Sequence, residues 1–162
     1  MIFLKLHNNI FSWDAIKALG ISSYASYLWQ FVRNILRIVR IGNLSPLDKA
    51  MGSEIKDFKY RGSNFVFDCG FCDENLDEDS YGFGIAREIY IRDCYFKYHP
   101  DWVYRSAKTV VDLGGNRGAF STLMTTVAEK IVIVECCEQY EKVIKNNFLM
   151  NKFSKYSLEK SF

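Results

Sequence analysis

Apolar and polar positions alternate most informatively in the last third of the chain. Thr109-Val-Val-Asp-Leu113 is a short apolar run of β-branched residues, which predicts a strand buried on both faces. Ile131-Val-Ile-Val134 predicts a second buried strand, closed by Glu135. Between them lie a glycine-bearing loop, Gly114–Gly118, and a stretch of helical composition from Ala119 to about Ala128. From Glu138 to about Asn151, Tyr140, Val143, Ile144 and Phe148 recur at helical spacing and offer one buried side. Strand, helix, strand, helix in this order predicts an α/β fold with right-handed parallel crossovers.

Upstream the pattern changes twice, which divides the chain into 1–50, 51–105 and 106–162. The first region reads as helical. Its best helix starts at Ser22 or Ser23 and runs to Ile41, where Gly42-Asn43 and then Pro46 end it. The second region is a mixed α/β lead-in with short β-type runs at Asn64–Phe67 and Ala86–Ile91, separated by an acidic loop, Asp73 to Gly84. Tyr95 to Tyr104 is aromatic, is interrupted by Pro100, and predicts a turn and a short helix. No internal repeat or low-complexity tract is evident.

Composition adds bounds to this picture. With 49% hydrophobic residues in 162, there is ample material for one buried core. A formal charge of +2, with Lys and Arg spread among acids, argues against nucleic acid as a partner. Five cysteines, an odd number, together with an opening that lacks a basic n-region and a cleavage site, fit free thiols and a cytoplasmic location. No apolar run is long enough to suggest a membrane-spanning helix. Arg33, Arg37 and Arg40 share a helical face, so residues 22–41 could contact an anionic membrane surface, a core or another subunit.

The candidate chemistry sits in the Gly114–Gly118 loop. In parallel α/β sheets, ligands bind beyond the carboxyl ends of the strands, and this loop lies there. Glycines let the backbone approach a ligand closely, and exposed N–H groups at the following helix favour a carboxylate or another anion. Glu135, at the end of the next strand, can accept hydrogen bonds from both hydroxyls of a ribose, as acidic residues ~20 positions after such loops do. A dinucleotide fingerprint requires Gly where Asn116 stands, which weakens a nicotinamide-dependent oxidoreductase. Asp112, two positions before the first loop glycine, instead matches the Asp/Glu-x-Gly-x-x-x-Gly pattern of class I methyltransferases, whose cofactor, S-adenosylmethionine, has no phosphates.

Val110-Val-Asp-Leu-Gly-Gly-Asn-Arg-Gly-Ala-Phe-Ser121 resembles the signature of FkbM-type methyltransferases. Ile133-Val-Glu135 is similar to that family's second strand, and Lys145-Asn-Asn-Phe-Leu-Met-Asn151 to its Lys-x-Asn-x-x-x-Asn helix end. Upstream, Ala86–Tyr95 resembles the segment that often precedes the signature. The resemblance covers roughly residues 85 to 151. It implies a Rossmann-like sheet and an S-adenosylmethionine site lined by Asp112, Gly114, Gly115, Asn116, Gly118 and Glu135, with Asp112 serving the ligand's cationic side. It also implies O-methyl transfer to a hydroxyl of a sugar or secondary metabolite. Two departures are Gly115, where Ala is usual and which is expected to loosen the loop, and Cys136, where Pro commonly follows the Glu. The family's sheet is longer than the strands found here, so the chain is expected to hold an incomplete N-terminal half, with no catalytic base assignable. A non-catalytic remnant or a self-associating, partner-binding subunit is the alternative from another class.

Three other constellations are weighed and set aside. Cys69-Gly-Phe-Cys72, with Cys94 and His99, has zinc-like spacing, but lacks a second close pair and reads better as buried small hydrophobes, so no metal is assigned. Asp73, Asn75, Asp77 and Asp79 alternate like a calcium loop, yet Glu78 and Gly84 stand where its Gly and closing Glu belong. His7 and His99 lie far from the motif in sequence and carry no catalytic claim.

Overall fold

The computed structural model of the chain describes residues 10–52, 55–70 and 82–160. Cys72, His7 and most of the acidic Asp73–Gly84 loop lie outside the described residues. The elements are α1 (Trp13–Ile41), α2 (Ser45–Met51), β1 (Ile55–Tyr60), β2 (Ser63–Asp68) and α3 (Gly82–Ala86), which widens into a π-turn at Arg87–Ile91. They continue with α4 (Asp101–Arg105), β3 (Thr109–Leu113), α5 (Ala119–Met124), β4 (Lys130–Val134), a 3₁₀ turn at Glu138–Tyr140, α6 (Glu141–Met150) and β5 (Tyr156–Glu159).

Strands β3, β4 and β5 form a parallel sheet in that order, the βαβαβ start of a Rossmann-like arrangement. Val110, Ile131 and Ile133 are buried on the side of the sheet where α5 packs, the two isoleucines completely. The other face differs from expectation. Val111 is 58% exposed and Leu113 76%, so β3 is covered on one side only. Among the described residues no helix packs on that side. Strand β5, which the sequence pattern does not flag, is short, with its three apolar and polar leading positions only half-buried.

Helix α1 is two helical segments joined at a kink at Gly20: the second starts close to the predicted Ser22 or Ser23, and the first, from Trp13, was not predicted. Ser12 caps it, its Oγ accepting from the Ala15 N–H at 3.1 Å. Gly20 interrupts it with φ 71° and ψ 164°, an extended left-handed geometry that only glycine adopts at low cost. It ends as predicted, at Gly42 in the left-handed region, whose N–H returns to Ile38 O. Tyr27, Phe31 and Ile38 of α1 pack into a core that also contains Phe58 and Phe67 of the β1–β2 hairpin. Among the described residues, no helix is long and apolar enough to cross a membrane.

Ala86–Ile91, expected as a strand, is helical. Its apolar residues are consecutive, and a π-turn, closed by Arg92 N–H to Arg87 O at 2.9 Å, brings Ile89, Tyr90 and Ile91 into the core together. Arg87 fixes that turn through a buried fork to Asp48, both N–O distances being 2.9 Å. Tertiary contacts therefore override the local β preference of these residues. Helix α5 is also shorter than predicted. Thr125 and Thr126 hydroxyls donate back to the Thr122 and Leu123 carbonyls, and the chain leaves the helix as a series of turns up to Ala128.

Candidate cofactor-binding site

The parallel pairing of β3 with β4 sets the site's frame. Leu113 lies opposite Val134, so the loop after β3 and the chain after β4 emerge on the same edge of the sheet. Gly114 and Gly115 N–H groups both donate to Val134 O, at 2.8 and 3.2 Å, which ties the loop to the strand end. Three loop residues are left-handed: Gly114 (φ 76°), Asn116 (φ 48°) and Gly118 (φ 73°). Asn tolerates that region better than other side-chain-bearing residues. Here its own Oδ1 also accepts the Arg117 N–H at 2.7 Å.

Glu135 closes the arrangement. Its Oε2 accepts the Asn116 N–H at 2.6 Å and its Oε1 the Cys137 N–H at 2.7 Å. The carboxylate thus links loop and strand end while retaining lone pairs for further donors. Asp112 lies on the inner face, its Oδ2 accepting from Ser121 Oγ at 2.5 Å. Burial pushes the Asp112 carboxyl above its ordinary value, with the nearby Glu135 charge acting the same way and the Ser121 hydrogen bonds opposing both. The structure therefore brings Asp112, Gly114, Gly115, Asn116, Gly118 and Glu135 together at one sheet edge.

Gly115 corrects the expectation of a loosened loop. A Cβ at this position would overlap Ile133 Cγ2, on a fully buried, β-branched side chain with little room to yield. Glycine here is the complement of isoleucine on β4, and the loop is packed tight against it.

Four residues outside the predicted set hold the loop. Arg117 is fully buried, and its Nη1 reaches the Gly70 carbonyl at 2.5 Å. Asn147 of α6 donates to Arg117 O at 3.2 Å and accepts the Asp68 N–H at 2.8 Å. Tyr90 Oη donates to Ala119 O at 2.7 Å, in the first turn after the loop. Ser121, within the quoted signature, holds Asp112. The legible signal for Asn147 was the Lys-x-Asn-x-x-x-Asn pattern; Arg117 and Tyr90 offered none, because their partners are backbone atoms distant in sequence. Beside Glu135, the exposed Cys136 and Cys137 thiols stand 3.9 Å apart. Cys69 is buried and its thiol is pushed up to about 12, mainly by desolvation.

No family model matches the chain, and no curated protein matches it. Among solved structures, a candidate SAM-dependent methyltransferase from Streptococcus mutans superposes with a TM-score of 0.42 at 15% identity, over 67% of this chain and 27% of that one. A candidate methyltransferase, SMU.776, complexed with SAH, gives 0.39 at 16% identity, over 67% and 26%. The tRNA m1G37 methyltransferase of M. jannaschii gives 0.35 at 18% identity, over 67% and 29%. The chain spans about a quarter of the length of these structures. At these TM-scores the likeness assigns neither family nor substrate.

One expectation needs correction. Balanced net charge was a reason to exclude nucleic acid, and the sum of charges is no ground for that exclusion. The physical reason is that distribution counts, not the sum. On α1, Arg33, Arg37 and Arg40 are all exposed.

Proposed function

We propose that Asp112–Gly118 and Glu135 form one half of the S-adenosylmethionine site of a class I methyltransferase of FkbM type. The observation that carries the reading is the Glu135 carboxylate, which stands at the end of β4 within hydrogen-bonding distance of the Asn116 amide. A ribose entering along the sheet edge would meet that carboxylate with both hydroxyls, and the loop amides would face the ligand's amino-acid carboxylate. Asp112 then carries the cationic side of the ligand, directly or through water. Methyl transfer is an in-line displacement at the sulfonium carbon, so the remaining requirement is an acceptor oxygen held in near-attack geometry. The acceptor proposed from the family resemblance is a hydroxyl of a sugar or secondary metabolite.

Equilibrium dialysis of the reduced chain against S-adenosylhomocysteine and, separately, NAD tests the choice of cofactor. The reading expects saturable retention of S-adenosylhomocysteine and none of NAD; the reverse result would establish a dinucleotide site in its place.

A second reading, a partner-binding subunit without catalysis, is favoured by the exposed Val111 and Leu113 on the uncovered face of β3. Sedimentation over a concentration series separates the two. Reversible dimerisation abolished by Val111→Lys, with no cofactor binding in either form, supports the second reading.

A further inference from the structure

Where β4 ends, three consecutive side chains converge. A Glu135 carboxylate oxygen, Cys136 Sγ and Cys137 Sγ all lie within 4.8 Å of one another. Two of the separations are closer: 3.9 Å between the two sulfurs, and 3.6 Å between Cys136 Sγ and Glu135 Oε1. At zinc–sulfur and zinc–oxygen bonds of about 2.3 and 2.0 Å, the edges of a tetrahedron measure about 3.8 Å for two sulfurs and about 3.5 Å for sulfur and oxygen. The two closer separations lie near those edges, and the third, between Cys137 Sγ and Glu135, is within 4.8 Å and closes by rotation of the exposed Cys137 side chain. We propose that Glu135, Cys136 and Cys137 form a three-ligand site for zinc, leaving the fourth tetrahedral position open to water or another ligand.

The surroundings are built for such a site. Glu135 is itself 8% exposed and is held from both sides, by the Asn116 N–H on Oε2 and the Cys137 N–H on Oε1. Outer hydrogen bonds of this kind orient a carboxylate ligand and fix which lone pairs remain for the metal. The two thiols, by contrast, are exposed, which gives a cation an entry path. Zinc binding displaces one proton from each thiol to solvent, so the affinity rises with pH. The adjacency of the cysteines explains why spacing rules miss the site. Those rules expect intervening residues between paired cysteines, whereas here the turn out of β4 brings neighbouring side chains together. The inference shares Glu135 with the cofactor reading, so a bound metal and a ribose would compete for that carboxylate, although none of the distances above depends on a bound nucleoside.

The test is a cadmium titration of the reduced full-length chain, followed by thiolate-to-cadmium absorption, with circular dichroism as a folding control on each variant. The site predicts one saturating equivalent, displaced by zinc with loss of the band. Cys136→Ser and Cys137→Ser each weaken binding roughly tenfold or more, and Glu135→Gln weakens it while leaving the band. Cys72→Ser and Cys94→Ser leave it unchanged. A band that survives in the Cys136→Ser/Cys137→Ser double variant, or that disappears in Cys72→Ser, overturns the proposal. So does cadmium that zinc fails to displace, or an unchanged affinity in Glu135→Gln.

Discussion

Individual residues account for how tightly the loop is held. Gly115 and Ile133 share one space, since the β-carbon that glycine lacks would fall on Ile133 Cγ2. Gly115→Ala is expected to destabilise the fold by about 1–3 kcal/mol, as overpacking at rigid positions does. In an Ile133→Ala background the same change costs less, and a double-mutant cycle in urea reads that coupling directly. Asp112 makes a second prediction. Its carboxyl titrates above the ordinary value of 3.8 because it is buried, so the folded protein binds its proton more tightly than the unfolded chain. Stability is thus lost as pH rises through that range, and the cost is fully present at neutral pH. Asp112→Asn keeps an acceptor for Ser121 and is expected to raise the melting temperature at pH 7. The gain fades in acid below the ordinary carboxyl value, which a pH series of thermal melts would record. A residue costly to stability, at the edge proposed to hold the cofactor, is what the proposed binding role expects. Both features were partly legible. The sequence marked Asp112 and Gly115 as site positions, but the identity of Gly115's neighbour depended on the β3–β4 register.

Helix α6 makes the clearest case among the elements. Its Asn147 and Asn151, one turn apart, treat the outer edge of β2 as a partner strand. Asn147 Oδ1 accepts the Asp68 N–H, while Asn151 accepts the Val66 N–H at 2.9 Å and donates to Val66 O at 2.7 Å. Two side chains thereby satisfy edge groups that would otherwise need water or another chain. They also lock the β1–β2 hairpin to the unit that carries the loop. Asn147→Ala and Asn151→Ala are each expected to cost about 1–3 kcal/mol. Hydrogen exchange at Val66 and Asp68 should accelerate more than at the Phe58–Phe65 ladder. Uniform acceleration across the hairpin would mean that the asparagines stabilise the fold without capping this edge. The motif was visible in sequence, though its task was not, because the acceptor groups belong to a backbone some 80 residues away. Strands β3 and β4 were legible for the opposite reason, as short runs bounded by glycine and by glutamate. Ala86–Ile91 misled because its helical form depends on Arg87 reaching Asp48, a contact no local pattern carries.

Across the whole molecule, one continuous core joins α1, the hairpin, the π-turn and the parallel sheet, and the candidate site lies at the sheet's carboxyl edge. That placement makes the site an extension of the core's rigidity. Arg117 reaches Gly70 next to the hairpin, Tyr90 holds Ala119, and Glu135 ties the loop to β4. The order of elements in the last third was readable from periodicity alone. The half-covered sheet was not, since an apolar strand reads the same whether one face or both are packed. Ligand binding at this edge should protect the loop amides in particular, and Asn116 most of all, given its bond to Glu135. The most direct test is a calorimetric titration of the chain with S-adenosylhomocysteine, repeated on Glu135→Ala. The account predicts saturable binding in the wild type and at least about a tenfold loss in the variant, the consequence of removing a charged acceptor worth about 1.5–3 kcal/mol. No binding to the wild type, or equal binding to a folded Glu135→Ala, would contradict it.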